Sequence, residues 1–163
     1  MTSLILLIVA TFLCTLVAGF VLTFAIVVMP GIRTLGDGDF LRAFQVMDRV
    51  IQKGQPVFML VWLGSAVALI AANAVGFAGM DATGRTLVTT ATVVYLLGVQ
   101  LLTVVINIPL NNKVQTLDIP SMDTDALSEA RREFEARWNA ANLTRTLLSS
   151  VVALLLMTQL HRS

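Results

Sequence analysis

The chain has 163 residues, of which 56% are hydrophobic and only 13% charged, with a mean hydropathy of +0.83. Soluble domains carry about 25% charged and about 45–50% apolar residues, so this composition excludes a water-soluble domain and points to a membrane protein. The net charge of +1, from 11 Lys+Arg against 10 Asp+Glu, offers no basic surface to a polyanion and excludes nucleic acid as a partner.

A helix needs about 20 mostly apolar residues to cross a bilayer, and four stretches supply them. The first, residues 4–29, is uncharged and is expected to stop at Pro30-Gly31. No Lys or Arg precedes Arg33, and the apolar run is too long for a cleaved leader, so a retained helix is expected. Its small residues Thr11, Thr15, Gly19 and Thr23 form a stripe suited to close helix approach. Residues 39–53 follow as an amphipathic helix. Phe40, Phe44, Met47 and Ile51 share one face and Arg42, Gln45, Arg49 and Lys53 the other. Such a helix lies in the headgroup region or caps the bundle, and Asp37 and Asp39 offer N-capping oxygens.

The second span covers residues 56–79, with Pro56 in its first turn. The third, residues 87–108, is expected to close at Pro109. Its polar residues Thr89, Thr92, Gln100, Thr103 and Asn107 fall within a sector of roughly 80° at about 100° per residue. A charged helical stretch, residues 123–137, carries Leu127, Phe134 and Trp138 on one stripe and runs into the fourth span, residues 142–160. There Trp138, Asn142, Arg145 and Ser149 share a face. Residues 1–163 thus read as one all-α membrane domain, a four-helix bundle with an interfacial helix between spans one and two.

Nine of the Lys and Arg residues lie in or beside the two long loops, against Arg85 and Arg162 on the other side. The positive-inside rule therefore puts both long loops in the cytoplasm and both termini outside a plasma or inner membrane.

Polar groups in hydrocarbon need partners or a cavity, so the facing stripes of the third and fourth spans suggest a shared polar interior. For the threonines and Gln100, interhelical packing glue is the favoured reading. Arg145 has two open roles. It can snorkel to the headgroups, or it can face the bundle and require carbonyls freed at Pro109, side-chain amides, Glu135 or a ligand oxygen. The run Asn107-Ile108-Pro109-Leu110-Asn111-Asn112 is the other local feature. Its carboxamides either cap backbone groups at a proline break or hold a substrate oxyanion. No cofactor is expected: His161 is the one histidine, too few for a bis-histidine haem or a non-haem iron triad, and no Gly-rich nucleotide fingerprint is present. Cys14 is alone, so neither an intrachain disulfide nor a cysteine metal cluster is expected.

The runs NIPLNNKV and RWNAANLTRT, with AGFVLTFAIVVMPGIRTL and AFQVMDRVIQKGQPVF before them, resemble the anthrone-oxygenase-like family of small four-helix membrane proteins. Asn107-x-Pro109-x-Asn111-Asn112 and Trp138-x-x-x-Asn142-x-x-Arg145-Thr146 are the most specific parts. Members often carry an aromatic residue where this chain has Ala141. Some fungal members oxidise an anthrone to an anthraquinone with molecular oxygen, and many bacterial members have no assigned activity. The resemblance implies oxygen-dependent oxidation of a lipophilic phenolic or polycyclic substrate without metal or flavin, the electrons coming from the substrate enolate. Arg145, Asn142, Asn107 and Asn111 are then the candidate catalytic anion site. Trp138 would stack on the substrate ring, and Asn112, Gln100 and Ser149 would line the substrate. A proton acceptor is not evident; Asp118 or Glu135 could reach only from the loop.

Two other functions fit the sequence. A noncatalytic accessory or assembly subunit suits the small-residue stripe and the amphipathic helix. A small-molecule carrier fits less well, because no span holds the carboxylate that proton-coupled carriers use. The expected partners are the lipid bilayer, a hydrophobic small molecule, and a second copy or a larger membrane complex.

Overall fold

A computed structural model describes residues 1–163. Five helices account for the architecture, with no strand. Helix α1 spans Thr2–Ile32, α2 Asp37–Gln52, α3 Pro56–Gly79, α4 Ala82–Gln115 and α5 Thr124–Arg162. Four of them, α1, α3, α4 and α5, are long and apolar enough to cross a membrane. The all-α four-helix membrane bundle anticipated from composition is therefore present. The charged stretch before span four is continuous with it, as α5 has 39 residues without a break.

Both prolines expected to end a span are instead carried inside a helix. Proline removes an N–H and its ring clashes with the carbonyl four residues back. In α1 a π-turn over Phe24–Val28 precedes Pro30, and the Met29 N–H donates to the Phe24 carbonyl, five residues back. In α4 a π-turn over Thr103–Asn107 precedes Pro109, and the Ile108 N–H donates to the Thr103 carbonyl in the same way. The wider turn shifts the carbonyl register ahead of each ring, so α1 runs on to Ile32 and α4 to Gln115. A second correction concerns α2: its N-cap is Gly36, without a side-chain bond, while Asp37 and Asp39 sit in the first turn. There they favour the helix N-terminus by charge.

Apolar packing falls into two bodies. The first lies within the spans and joins Leu7, Cys14 and Val17 of α1 to Leu69 of α3, Val88, Tyr95 and Val99 of α4, and Val152 and Leu156 of α5. The second lies at the end where α4 gives way to α5 and comprises Met29, Phe40, Leu41, Phe44, Leu110, Val114, Ile119, Phe134 and Trp138. Helix α2 thus caps the bundle. Its buried arc is Phe40, Leu41, Phe44, Gln45 and Asp48, with Met47 and Ile51 only half-buried. The expected apolar face is rotated by roughly 60° at about 100° per residue. The reason is tertiary: Gln45 Nε2 donates to the Val114 and Leu117 carbonyls at 2.8 and 3.0 Å, an end of α4 that needs donors.

Arg131 straps this cap. Its guanidinium donates to the Arg33 and Leu35 carbonyls past the end of α1, to Asp37 at 3.0 Å and to Glu135 at 2.8 Å, and lies over the Phe40 ring at 4.3 Å. Burial works against its charge, yet Glu135 and Asp37 outweigh that and raise its pKa above the ordinary arginine value. Only part of the small-residue stripe of α1 packs within the bundle: Thr11 is buried and Thr15 half-buried, Gly19 and Thr23 are exposed, and the three threonines donate to their own helix carbonyls.

Candidate functional site

Between the two apolar bodies runs a polar layer. On α4, Thr103 and Asn107 separate Val99 from Leu110; on α5, Asn142, Arg145, Thr146 and Ser149 separate Trp138 from Val152. These residues share a face because they recur at helical spacing, and the antiparallel order of α4 and α5 brings the two layers to one level.

Arg145 is 5% exposed and has no carboxylate partner. Its Nη1 donates to Thr103 Oγ1 and its Nη2 to Asn142 Oδ1, both at 2.9 Å, and the guanidinium carbon lies 5.9 Å from the centre of the Trp138 ring. Of the two roles open from sequence, the side chain takes the one facing the bundle; Glu135 is occupied by Arg131 and Arg33 instead. Asn142 also donates from Nδ2 to the Val21 carbonyl at 3.1 Å, anchoring the layer to α1.

Three polar atoms of the layer are buried without a partner: Arg145 Nε and both Nδ2 and Oδ1 of Asn107. Asn107 is 2% exposed. A buried carboxamide left unpaired costs about 1–3 kcal/mol, which is tolerated where the group serves a ligand. Asn107→Leu is therefore expected to raise the melting temperature of the purified protein. A lower melting temperature would show that the carboxamide is bonded in the folded protein and would remove Asn107 from the site.

The asparagines after the third span do not act together, and none caps backbone at a helix break. Asn111 Oδ1 accepts from Trp138 Nε1 at 2.8 Å and its Nδ2 donates to Asp48 Oδ1 at 2.7 Å. Asn112 is exposed and accepts from Gln52 at 3.1 Å. Gln100 donates to the Trp62 carbonyl at 3.4 Å and Ser149 to the Thr146 carbonyl at 3.1 Å. Arg145, Asn142 and Trp138 are thus joined around one guanidinium, with Asn107 one turn beyond Thr103. Asn111 touches that group through the indole, and Asn112, Gln100 and Ser149 have other partners.

Sequence reasoning missed Asp48. It is 4% exposed, whereas Asp118 is exposed and Glu135 paired. A signal was present, since Asp48 borders the Phe44–Met47 stripe, but an acidic residue there reads as the edge of a solvated face. Ser65 of the second span reads from sequence as packing glue or a polar lining, and its pairing with the Tyr95 hydroxyl at 2.6 Å inside the bundle was not foreseen.

Two of the surface clefts stand out. One, of about 140 Å³, lies between α4 and α5 against Lys113, Glu133, Phe134 and Arg137. The other, of about 480 Å³, lies at the opposite end against Met80, Asp81, Gln159 and Arg162. Neither is lined by Arg145, Asn107, Asn142 or Trp138.

The model of the anthrone oxygenase family matches residues 47–155, more than half of the chain and all of the polar layer on α4 and α5. The chain belongs to the anthrone oxygenase family. The match begins inside α2 and so includes Asp48 as well. Neither curated proteins nor solved structures give a match to this anthrone oxygenase family member.

Proposed function

We propose that this family member oxidises a lipophilic phenolic or polycyclic substrate of the anthrone type with molecular oxygen, at the polar layer around Arg145. The observation that carries the reading is a buried guanidinium without a carboxylate, one N–H unpaired, in a layer that also holds the unpaired Asn107 carboxamide. Such preorganised donors stabilise a developing oxyanion far better than water does, because they need no reorientation in a low-dielectric site. Loss of a methylene proton from an anthrone puts negative charge on the carbonyl oxygen. Arg145 and Asn107 hold that oxygen, and Trp138 stacks on the ring system. The enolate gives one electron to oxygen, and the radical pair combines to a peroxide at the methylene carbon. The proton released first returns to the peroxide, and loss of water then leaves the second carbonyl, so CH2 and O2 become C=O and H2O. The half-buried Phe24 ring, centred 5.6 Å from Trp138, offers a second aromatic surface to the ring system.

Oxygen uptake by the purified protein with anthrone, against the protein-free autoxidation rate, tests this directly. Uptake above that blank with stoichiometric anthraquinone is expected; uptake at the blank rate across a panel of anthrones and hydroxylated polycycles would end the proposal. The accessory-subunit alternative loses one of its two supports, since α2 turns its apolar arc into the chain itself.

From the Lys and Arg bias of the loops we further propose that both long loops are cytoplasmic and both termini outside. In a Cys14→Ala background, a membrane-impermeant maleimide on intact cells is expected to label Thr83→Cys and not Ser121→Cys, both exposed positions. The reverse pattern would invert the orientation.

A further inference from the structure

Asp48 is the one Asp or Glu among the buried residues, and no Lys or Arg pairs with it. Carboxamides surround it. Asn111 Nδ2 donates to Oδ1 at 2.7 Å, while Gln52 and Gln115 donate to Oδ2 at 2.7 and 2.9 Å. Asn111 in turn accepts from the Trp138 indole at 2.8 Å. The logic of this chain is directional. A carboxylate only accepts and an indole N–H only donates, so one orientation of the Asn111 carboxamide satisfies both neighbours and the flipped one satisfies neither. The charge on α2 thereby decides which way Asn111 points, and Asn111 decides where the indole edge is held. The indole face then lies against Arg145 on one side, and the Phe44 ring stands nearly perpendicular to it, the two centres 5.5 Å apart.

We propose that Asp48 is a positioning residue for this site: through Asn111 it fixes the Trp138 indole, and with it the ring face offered to a flat aromatic ligand beside Arg145. The ligand in this statement rests on the function proposed above; the positioning of the indole does not. Arg145 and Asp48 are thus two buried opposite charges kept from pairing by the two side chains between them, which leaves the guanidinium open to an anionic oxygen.

The chain has two tryptophans, so Trp62→Phe leaves Trp138 as the sole reporter. In that background, time-resolved fluorescence anisotropy reads the freedom of the indole, and quenching by anthrone under argon reads binding without turnover. Asp48→Leu and Asn111→Leu are each expected to free the indole and weaken anthrone binding about tenfold, the scale of one lost buried hydrogen bond. Gln115→Leu removes a different bond to the same carboxylate and is expected to leave the indole ordered. If Gln115→Leu frees the indole as much as Asn111→Leu does, Asp48 merely docks α2 and the proposal is overturned. It is equally overturned if the indole stays ordered in folded Asp48→Leu. Should Asp48→Leu not fold, Asn111→Leu against Gln115→Leu decides alone. If the indole is freed as expected while the parent protein binds no anthrone, the positioning stands and the proposed substrate falls.

Discussion

Arg145→Met is expected to lower anthrone-dependent oxygen uptake by about 10²-fold or more, the usual effect of removing an oxyanion donor, while the protein melts at the same temperature or higher. The two halves of this result have separate causes. The guanidinium is 5% exposed with no carboxylate beside it, and an uncompensated charge in a low-dielectric interior costs several kcal/mol in rough terms. Methionine fills similar space with a flexible apolar chain. Against that gain, Asn142 Oδ1 loses its donor, at about 1–3 kcal/mol. The terms oppose each other in stability, whereas nothing replaces the donor in the reaction. Uptake rates measured beside thermal melts of the same preparation check both halves. Wild-type uptake by the folded variant would take the anion site away from Arg145, and a large drop in melting temperature would make the residue structural.

Phe44→Ala is expected to destabilise the cap by about 3–5 kcal/mol, the range for a buried phenylalanine. Phe44 is 2% exposed, packs edge-on against Phe134 at 4.5 Å and touches Trp138 at 5.5 Å. Within the spans lipid tails are as apolar as any side chain, so burial there contributes little driving force. Apart from Met29, the second apolar body lies outside the four apolar runs, where water is the alternative and the hydrophobic effect operates in full. Limited trypsin digestion reads the outcome, because α2 carries Arg42 and Arg49 and Lys53 follows it. Rapid cutting there in Phe44→Ala but not in the parent is expected. Equal resistance in both would show that α2 rests on the bilayer and not on α5.

How much of this was legible beforehand depended on the kind of information each feature needs. Four spans followed from unbroken apolar runs, because crossing a bilayer is a condition on length and composition alone. The inward direction of Arg145 was half legible: Asn142 and Ser149 share its face, but snorkelling needs only a short distance to the headgroups. The continuation of α1 and α4 past Pro30 and Pro109 was not legible. A proline in a run reads as a stop, and the π-turn that accommodates it leaves no mark in residue type.

Asp48 shows the boundary most clearly. Hydrophobic periodicity sorts residues between an apolar phase and water, and it counts an acidic residue beside an apolar stripe as solvated. The bond from Asp48 to Asn111 joins residues 63 positions apart and exists only because α2 folds back under the end of α4. Composition and periodicity determined the bundle, its polar layer and the helices that carry it, since those depend on each segment's own partition between lipid and water. Which polar groups meet, which remain open and which carboxylate is buried were decided by tertiary packing, because a hydrogen bond needs two partners in place and one segment specifies only one of them.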